Sequence, residues 1–233
     1  MHEHSILYSI VNPWFGKTFG FEVPDHILNG IFILLVLTVF SLIIKKQILK
    51  MGKENPTKLQ SIIEVIIKGL IELMEDIIGH NEGKKFLPIV GAFAFFIFFC
   101  NISGLFFFLS PATSNPNTTF ALSITAFLLY NIQGIGKHKT KYIKQFLGPF
   151  LATAIIIFPV EVVSHSVRAL SLGLRLYGNM FGEHTISGFI SNMLPIIAPL
   201  PMMALGLIAA TMQTFIFVVL FMVYVGGALA EEH

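Results

Sequence analysis

The sequence predicts an all-α polytopic membrane protein with about five transmembrane helices and one interfacial amphipathic helix. Hydrophobic residues fill 55% of the 233 positions and charged residues only 12%, which is more apolar surface than a soluble core of this size can bury. The apolar residues form long runs without a formal charge, and about 20 such residues cross a hydrocarbon core roughly 30 Å thick. We treat residues 1–233 as a single membrane domain.

The first predicted span covers residues 27–44, which carry no formal charge. Lys45 and Lys46 follow it directly, and the positive-inside rule places them on the cytoplasmic face. The preceding segment, residues 1–26, is then external, with Trp14 at the membrane interface.

Membrane lipid is the expected solvent, and the basic runs that border the spans lack the interleaved aromatic residues of a nucleic-acid site.

Residues 57–80 are predicted to form an amphipathic helix that is too polar to span the membrane. Leu59, Ile63 and Leu70 belong to its apolar face, whereas the opposite face carries lysines and carboxylates. The helix either lies along the cytoplasmic interface, which we favour, or packs against another helix.

Residues 86–109 and 119–135 are the next two spans. The link between them contains Pro111 and Pro116 and no lysine or arginine, which indicates an external turn. The chain then returns to a basic cytoplasmic stretch at residues 136–144.

Two long helices are predicted at residues 146–192 and 198–230, joined by a Pro-rich external hairpin. Each is longer than an upright crossing requires, so we expect both to be tilted. The C-terminus, after Ala230, is expected in the cytoplasm.

The first of these helices carries the informative residues, because a charge at the centre of a membrane helix costs about 2.5 to 3.5 kcal/mol on insertion scales. Glu161, Arg168 and Arg175 are spaced by seven, and Asn179 follows one turn later, so they share one helix face. The remaining ionisable residues of this helix are His165, Glu183 and His184. This helix therefore presents a polar path through the bilayer.

On the last helix, Gly206, Gln213 and Tyr224 are nearly in phase. If the last two helices form an antiparallel hairpin, Gln213 is the polar group best placed to meet Arg175. A structural alternative pairs Arg175 with a carboxylate such as Glu161. The residues alone leave pump, channel and transporter open, although an arginine that cannot release its proton suits charge repulsion or attraction better than proton relay.

Residues 171–180, Ser-Leu-Gly-Leu-Arg-Leu-Tyr-Gly-Asn-Met, closely resemble the signature of subunit a of F-type ATP synthases. Three further blocks resemble the same family in the same order, at residues 101–105, 130–135 and 213–217. The resemblance covers residues 86–233. One departure is that the position five residues after Asn179, usually Glu in bacteria, is His184, with Glu183 just before it; Gly206 stands where some members carry a partner side chain.

The resemblance implies the role of stationary subunit, in which two offset half-channels carry protons to and from the carboxylates of a rotating c-ring. Arg175 would face that ring, with Asn179 and Gln213 nearby. The outer path would pass Asn115, Asn117, His184 and Glu183. The inner path would pass His165 and Glu161, with Arg168 and Tyr224 toward the cytoplasm.

The implied partners are the c-ring, the peripheral-stalk b subunits and, indirectly, the soluble catalytic sector, in a bacterial plasma membrane. The chain itself is predicted to be non-catalytic and to need no cofactor, because it has no phosphate-binding loop, no cysteine cluster and no metal-ligand set. A secondary transporter or an ion channel with an intramembrane arginine is the alternative, but the sequence lacks the paired halves of a transporter.

Overall fold

The computed structural model describes residues 5–19, 22–51, 58–80, 82–106, 109–139, 154–193 and 199–230, and these form seven α-helices and no strand. The helices are α1 (Ile6–Phe19), α2 (Asp25–Met51), α3 (Lys58–Ile78), α4 (Leu87–Ser103), α5 (Pro116–His138), α6 (Ala154–Met193) and α7 (Pro199–Leu229). Five spans are long and apolar enough to cross a membrane: Asp25–Lys46, Gly83–Ser103, Pro116–His138, Ile157–Ile190 and Leu200–Leu229. The predicted all-α membrane fold is therefore confirmed.

Helix α1 lies within the segment that the sequence left as an external tail. Polar side chains fix it to the start of α2: the Ser5 amide donates to Asp25 at 3.0 Å, and the Asn12 side chain exchanges two hydrogen bonds with the Val23 backbone. Trp14 is exposed, as an interfacial anchor requires. The sequence pattern of this helix is weak because Pro13 interrupts it.

The amphipathic helix α3 packs against the bundle through its C-terminal half. Met74 is fully buried, and Gly226 of α7 lies so close that an added Cβ would be 2.8 Å from the carbonyl oxygen of Ile77. In the N-terminal half, apolar residues such as Val65 remain exposed. The sequence left two alternatives for this helix and favoured the membrane interface. The other alternative, packing against another helix, is correct for the half of α3 that follows Leu70.

Helix α4 ends at Ser103, before residue 109 where the apolar run ends. Gly104 closes the helix, its amide donating to the carbonyls of Asn101 and Ile102. The following loop folds back, because the Pro111 ring packs on Gly104 and the Thr113 hydroxyl donates to the Asn101 side chain at 2.7 Å. Residues 104–106, which continue the apolar run, thus lie in a turn after the end of α4.

The core lies where α4 and α5 pack on α6 and α7. Helix α6 has 40 residues, about 60 Å at 1.5 Å per residue, and includes Pro159. Contacts between α6 and α7 run in opposite directions along the two helices, which confirms the antiparallel hairpin. The predicted starts of the two helices at 146 and 198, and most of the hairpin turn, lie outside the described residues. The main core residues are Met74, Phe93, Ile97, Tyr130, Leu172, Leu176, Met180, Phe217, Phe221, Met222 and Val225.

Candidate functional site

Arg175 is exposed on the outer surface of α6, in the middle of the helix. Its neighbours Leu172 and Leu176 are buried in the core, whereas Leu170 and Leu174 are about half exposed, at 50% and 54%. The guanidinium therefore lies on the exposed side of α6, outside the buried core. Within the described ranges, no side chain forms an ion pair or hydrogen bond with it.

The structural alternative, an ion pair between Arg175 and Glu161, is wrong. Glu161 lies fourteen residues away, about 21 Å along the helix, and contacts His165 instead. A permanent cation that meets no carboxylate in the described part of the chain is costly where it lies in lipid.

Gln213 of α7 meets Asn179, and not Arg175 as the phase of the helices suggested. The Asn179 amide nitrogen donates to the Gln213 side-chain oxygen at 2.6 Å. Gln213 is only 1% exposed, and its own amide nitrogen has no partner among the groups the structure describes. Arg175 points outward. Gln213 therefore contacts α6 through Asn179, one helical turn after Arg175.

A second polar cluster lies on the side of Arg175 toward the start of α6. The Nε2 atom of His165 is 3.2 Å from Glu161 Oε1, and its Nδ1 atom is 3.1 Å from the hydroxyl of Tyr130 on α5. On α7, the Tyr224 ring lies 5.8 Å from the Tyr130 ring and 5.9 Å from the guanidinium carbon of Arg168. Three helices therefore contribute to one site.

Tyr130 is the member of this cluster that the sequence did not single out as a functional residue. It is 2% exposed, and a buried tyrosine hydroxyl requires a hydrogen-bond partner. A tyrosine inside an uncharged span was therefore the feature of the sequence that could have pointed to a polar contact at this position. The partner itself lies 35 positions away on another helix, beyond the reach of local spacing.

On the opposite side of Arg175, Glu183 lies against Gly206. An added Cβ at Gly206 would collide with the Glu183 carboxylate and would be 2.5 Å from Leu105. The glycine thus leaves the space that the carboxylate occupies between α6 and α7. His184, the next residue, is exposed on a different side of α6, as the predicted 100° turn requires.

Asn115 has a structural role in addition to the one expected of it. Its side chain accepts the Asn117 amide at 3.0 Å and caps the start of α5, with Pro116 in the first turn. Asn117 is exposed. The turn Ala112–Ser114 that precedes them packs against α6.

The part of the chain that the structure covers contains no cluster of three or more His, Cys, Asp or Glu side chains able to hold a metal ion.

Comparison with known proteins finds one family. The sequence model of the family described as ATP synthase A chain matches residues 27–226. ATP synthase subunit a 1 of Syntrophotalea carbinolica is 36% identical over 215 residues, 92% of this chain and 89% of the relative. ATP synthase subunit a of Desulfosudis oleivorans is 39% identical over 223 residues, 93% of this chain and 95% of the relative. That of Geotalea daltonii is 40% identical over 181 residues, 78% and 79% of the two chains.

Proposed function

The chain belongs to the ATP synthase A chain family, and on this premise we propose that it conducts protons through two offset half-channels that meet the carboxylates of a rotating c-ring. It is subunit a of the membrane sector, a non-catalytic subunit of the complex. Proton flow past it drives rotation, and ATP is made in the soluble sector. The observation that carries the proposal is Arg175, exposed in the middle of a long membrane helix and without a partner among the described residues.

The exposed surface of the two long helices, α6 and α7, is suited to a second membrane protein. A lone arginine at the centre of a lipid-facing helix costs about 2.5 to 3.5 kcal/mol, and an ionised carboxylate on a neighbouring apolar surface offsets this cost. A c-ring supplies such a surface, with one carboxylate per subunit. Exposed apolar residues on the two long helices include Val163, Val167, Leu170, Leu174, Phe181, Leu205, Ile208, Met212 and Phe215.

The fixed charge of Arg175 separates the two half-channels. A guanidinium favours the ionised form of a carboxylate in front of it, so each ring carboxylate must release its proton before passing. The same charge repels a proton moving straight across the membrane. Asn179 and Gln213, hydrogen bonded one turn away, hold α6 against α7 at this level.

Protons leave through the cluster of Glu161 and His165, and they are taken up through the polar groups on the other side of Arg175. Glu183, in the space left by Gly206, is the carboxylate of the outer path, and His184 stands beside it in sequence. Asn115 and Asn117 lie at the outer end of α5. Arg168 and Tyr224 complete the inner path.

The orientation follows from the distribution of lysines. Lys45 and Lys46 after the first span, and the basic residues after α5, place these ends in the cytoplasm. The N-terminus is then external and the C-terminus cytoplasmic. The b subunits of the peripheral stalk hold this chain stationary, and the membrane is the plasma membrane of a bacterium.

ATP-driven proton pumping in inverted membrane vesicles tests the proposal. Arg175→Ala should abolish pumping in an assembled complex and raise passive proton permeability after the soluble sector is removed. Lys46→Ala, which removes an exposed cation at the end of α2, is the matched control and should pump like the wild type. Normal pumping by Arg175→Ala would overturn the proposal.

A further inference from the structure

The imidazole of His165 bridges two helices through its two nitrogens. Nε2 faces Glu161, one turn earlier on α6, and Nδ1 faces the Tyr130 hydroxyl on α5. The His165 side chain is 12% exposed and that of Glu161 is 31% exposed. The exposed fraction therefore increases from the imidazole to the carboxylate.

The Tyr130 ring is held rigidly. It is fully packed in the core, with Phe127 edge-on at 5.4 Å between ring centroids and Tyr224 at 5.8 Å. Its hydroxyl can shift little relative to α6, because neighbours from its own helix and from α7 confine the ring. A rigid hydroxyl at one ring nitrogen fixes the orientation of an imidazole.

The position along α6 suits a proton-release step. His165 lies ten residues before Arg175, about 15 Å along the helix, and Glu161 lies about 6 Å further. A proton released from a ring carboxylate near Arg175 therefore reaches His165 before Glu161. The order of the two residues matches their increasing exposure.

We propose that Tyr130 is a positioning residue that holds His165 in the Nδ1-protonated tautomer, with Nε2 directed at Glu161 as the group that relays each outgoing proton. This inference rests on the proposed proton-conducting function. Between cycles the unprotonated Nε2 and the Glu161 carboxylate are both acceptors and repel each other, so Nε2 readily takes up one proton and forms an imidazolium that donates to Glu161. The proton then passes from Nε2 to Glu161 Oε1 and from there to water, while the Nδ1 proton stays donated to the Tyr130 hydroxyl.

Charged and titratable groups from all three helices face this relay. Glu161 and Arg168 come from α6, with opposite effects on an imidazolium, while Tyr130 comes from α5 and Tyr224 from α7. The Glu161 carboxylate favours proton uptake at Nε2 and accepts the proton afterwards. Arg168 is drawn toward the Tyr224 ring by a cation–π contact, which limits its repulsion of the imidazolium.

Tyr130→Phe tests the role of the hydroxyl without removing the ring. Passive proton conductance is measured in inverted vesicles stripped of the soluble sector. The cytoplasmic face of such vesicles is in contact with the medium, and the pH of the medium is varied. We expect a loss of about fivefold, the effect of one hydrogen bond, and a conductance midpoint displaced to lower pH, because the imidazolium loses an acceptor. Tyr8→Phe, which removes a hydroxyl bonded to Glu22 in the N-terminal segment, is the matched control and should leave both unchanged.

A double-mutant cycle separates positioning from packing. If Tyr130 acts through His165, Tyr130→Phe should have no further effect in a His165→Gln background. Equal losses in both backgrounds, or an unchanged pH profile, would overturn the inference. Arg175→Ala is measured for ATP-driven pumping in inverted vesicles that retain the soluble sector. Its loss of pumping together with a silent Tyr130→Phe refutes the relay alone, whereas normal pumping by Arg175→Ala refutes the conducting function itself.

Discussion

Replacing Gly173 with alanine should loosen the contact between α5 and α6 two residues before Arg175. An added Cβ would lie 2.7 Å from the Ser123 hydroxyl oxygen and 2.9 Å from Cδ1 of the Phe120 ring. Ser123 cannot turn away freely, because its hydroxyl donates to the Phe120 carbonyl at 3.1 Å. The helices must therefore separate.

The magnitude follows from two opposing terms. Overpacking a tight contact costs about 1 to 3 kcal/mol, and alanine gains roughly 1 kcal/mol over glycine inside a helix. We expect a net loss of up to about 2 kcal/mol. Gly91→Ala in α4 is the control, since a Cβ there meets nothing within 4 Å. Both variants share the helix gain, so their difference isolates the clash.

The assay is denaturation of the purified chain in mild detergent by increasing SDS, followed by circular dichroism. Gly173→Ala should unfold at a lower SDS fraction than the wild type and Gly91→Ala at a higher one. If Gly173→Ala proves as stable as Gly91→Ala, the close approach of α5 and α6 at this position is incorrect.

Three further predictions concern other contacts. Gly206→Ala should displace the Glu183 carboxylate and slow proton conductance measured from the external face, without loss of assembled complex; unchanged conductance would exclude Glu183 from the outer path. Asn115→Ala should destabilise the chain by about 1 kcal/mol in the same SDS titration, because α5 loses its cap. Hydrogen bonding to Lys84 lowers the pKa of Glu75 below its usual range. Stability from this carboxylate is therefore present above the ordinary pKa of a glutamate and lost as the pH falls through the lower folded-state pKa, so Glu75→Gln should weaken the acid dependence of unfolding.

Length and polarity made the membrane spans predictable. A run of apolar residues must find lipid or protein around it, and this requirement depends on composition alone. Helix α1 was missed for the converse reason: Pro13 disrupts its pattern, and the bonds that fix it, from Ser5 and Asn12 to the start of α2, join residues 11 to 20 positions apart.

The glycines of α6 also show where sequence spacing is informative and where it is not. Helix α6 has glycines at positions 173, 178, 182 and 188, and small residues in membrane helices often mark close packing between helices. Among the described residues, a Cβ added at Gly173 meets another helix within 4 Å, whereas a Cβ added at any of the other three meets nothing within that distance. Helix spacing fixes the angle between two positions on one helix, but it does not say which angle a neighbouring helix occupies.

The sequence by itself determined that the chain is embedded in a membrane, that one long apolar helix carries six ionisable residues within its span and that Arg175 lies near the middle of that helix. These follow from hydrophobicity and from the geometry within a single helix. Only the tertiary structure decided that Gln213 meets Asn179, that Glu183 fills the space beside Gly206 and that Tyr130 meets His165. Those contacts depend on how helices are rotated and shifted against each other, which is set by the packing of the whole core and not by spacing along one chain segment.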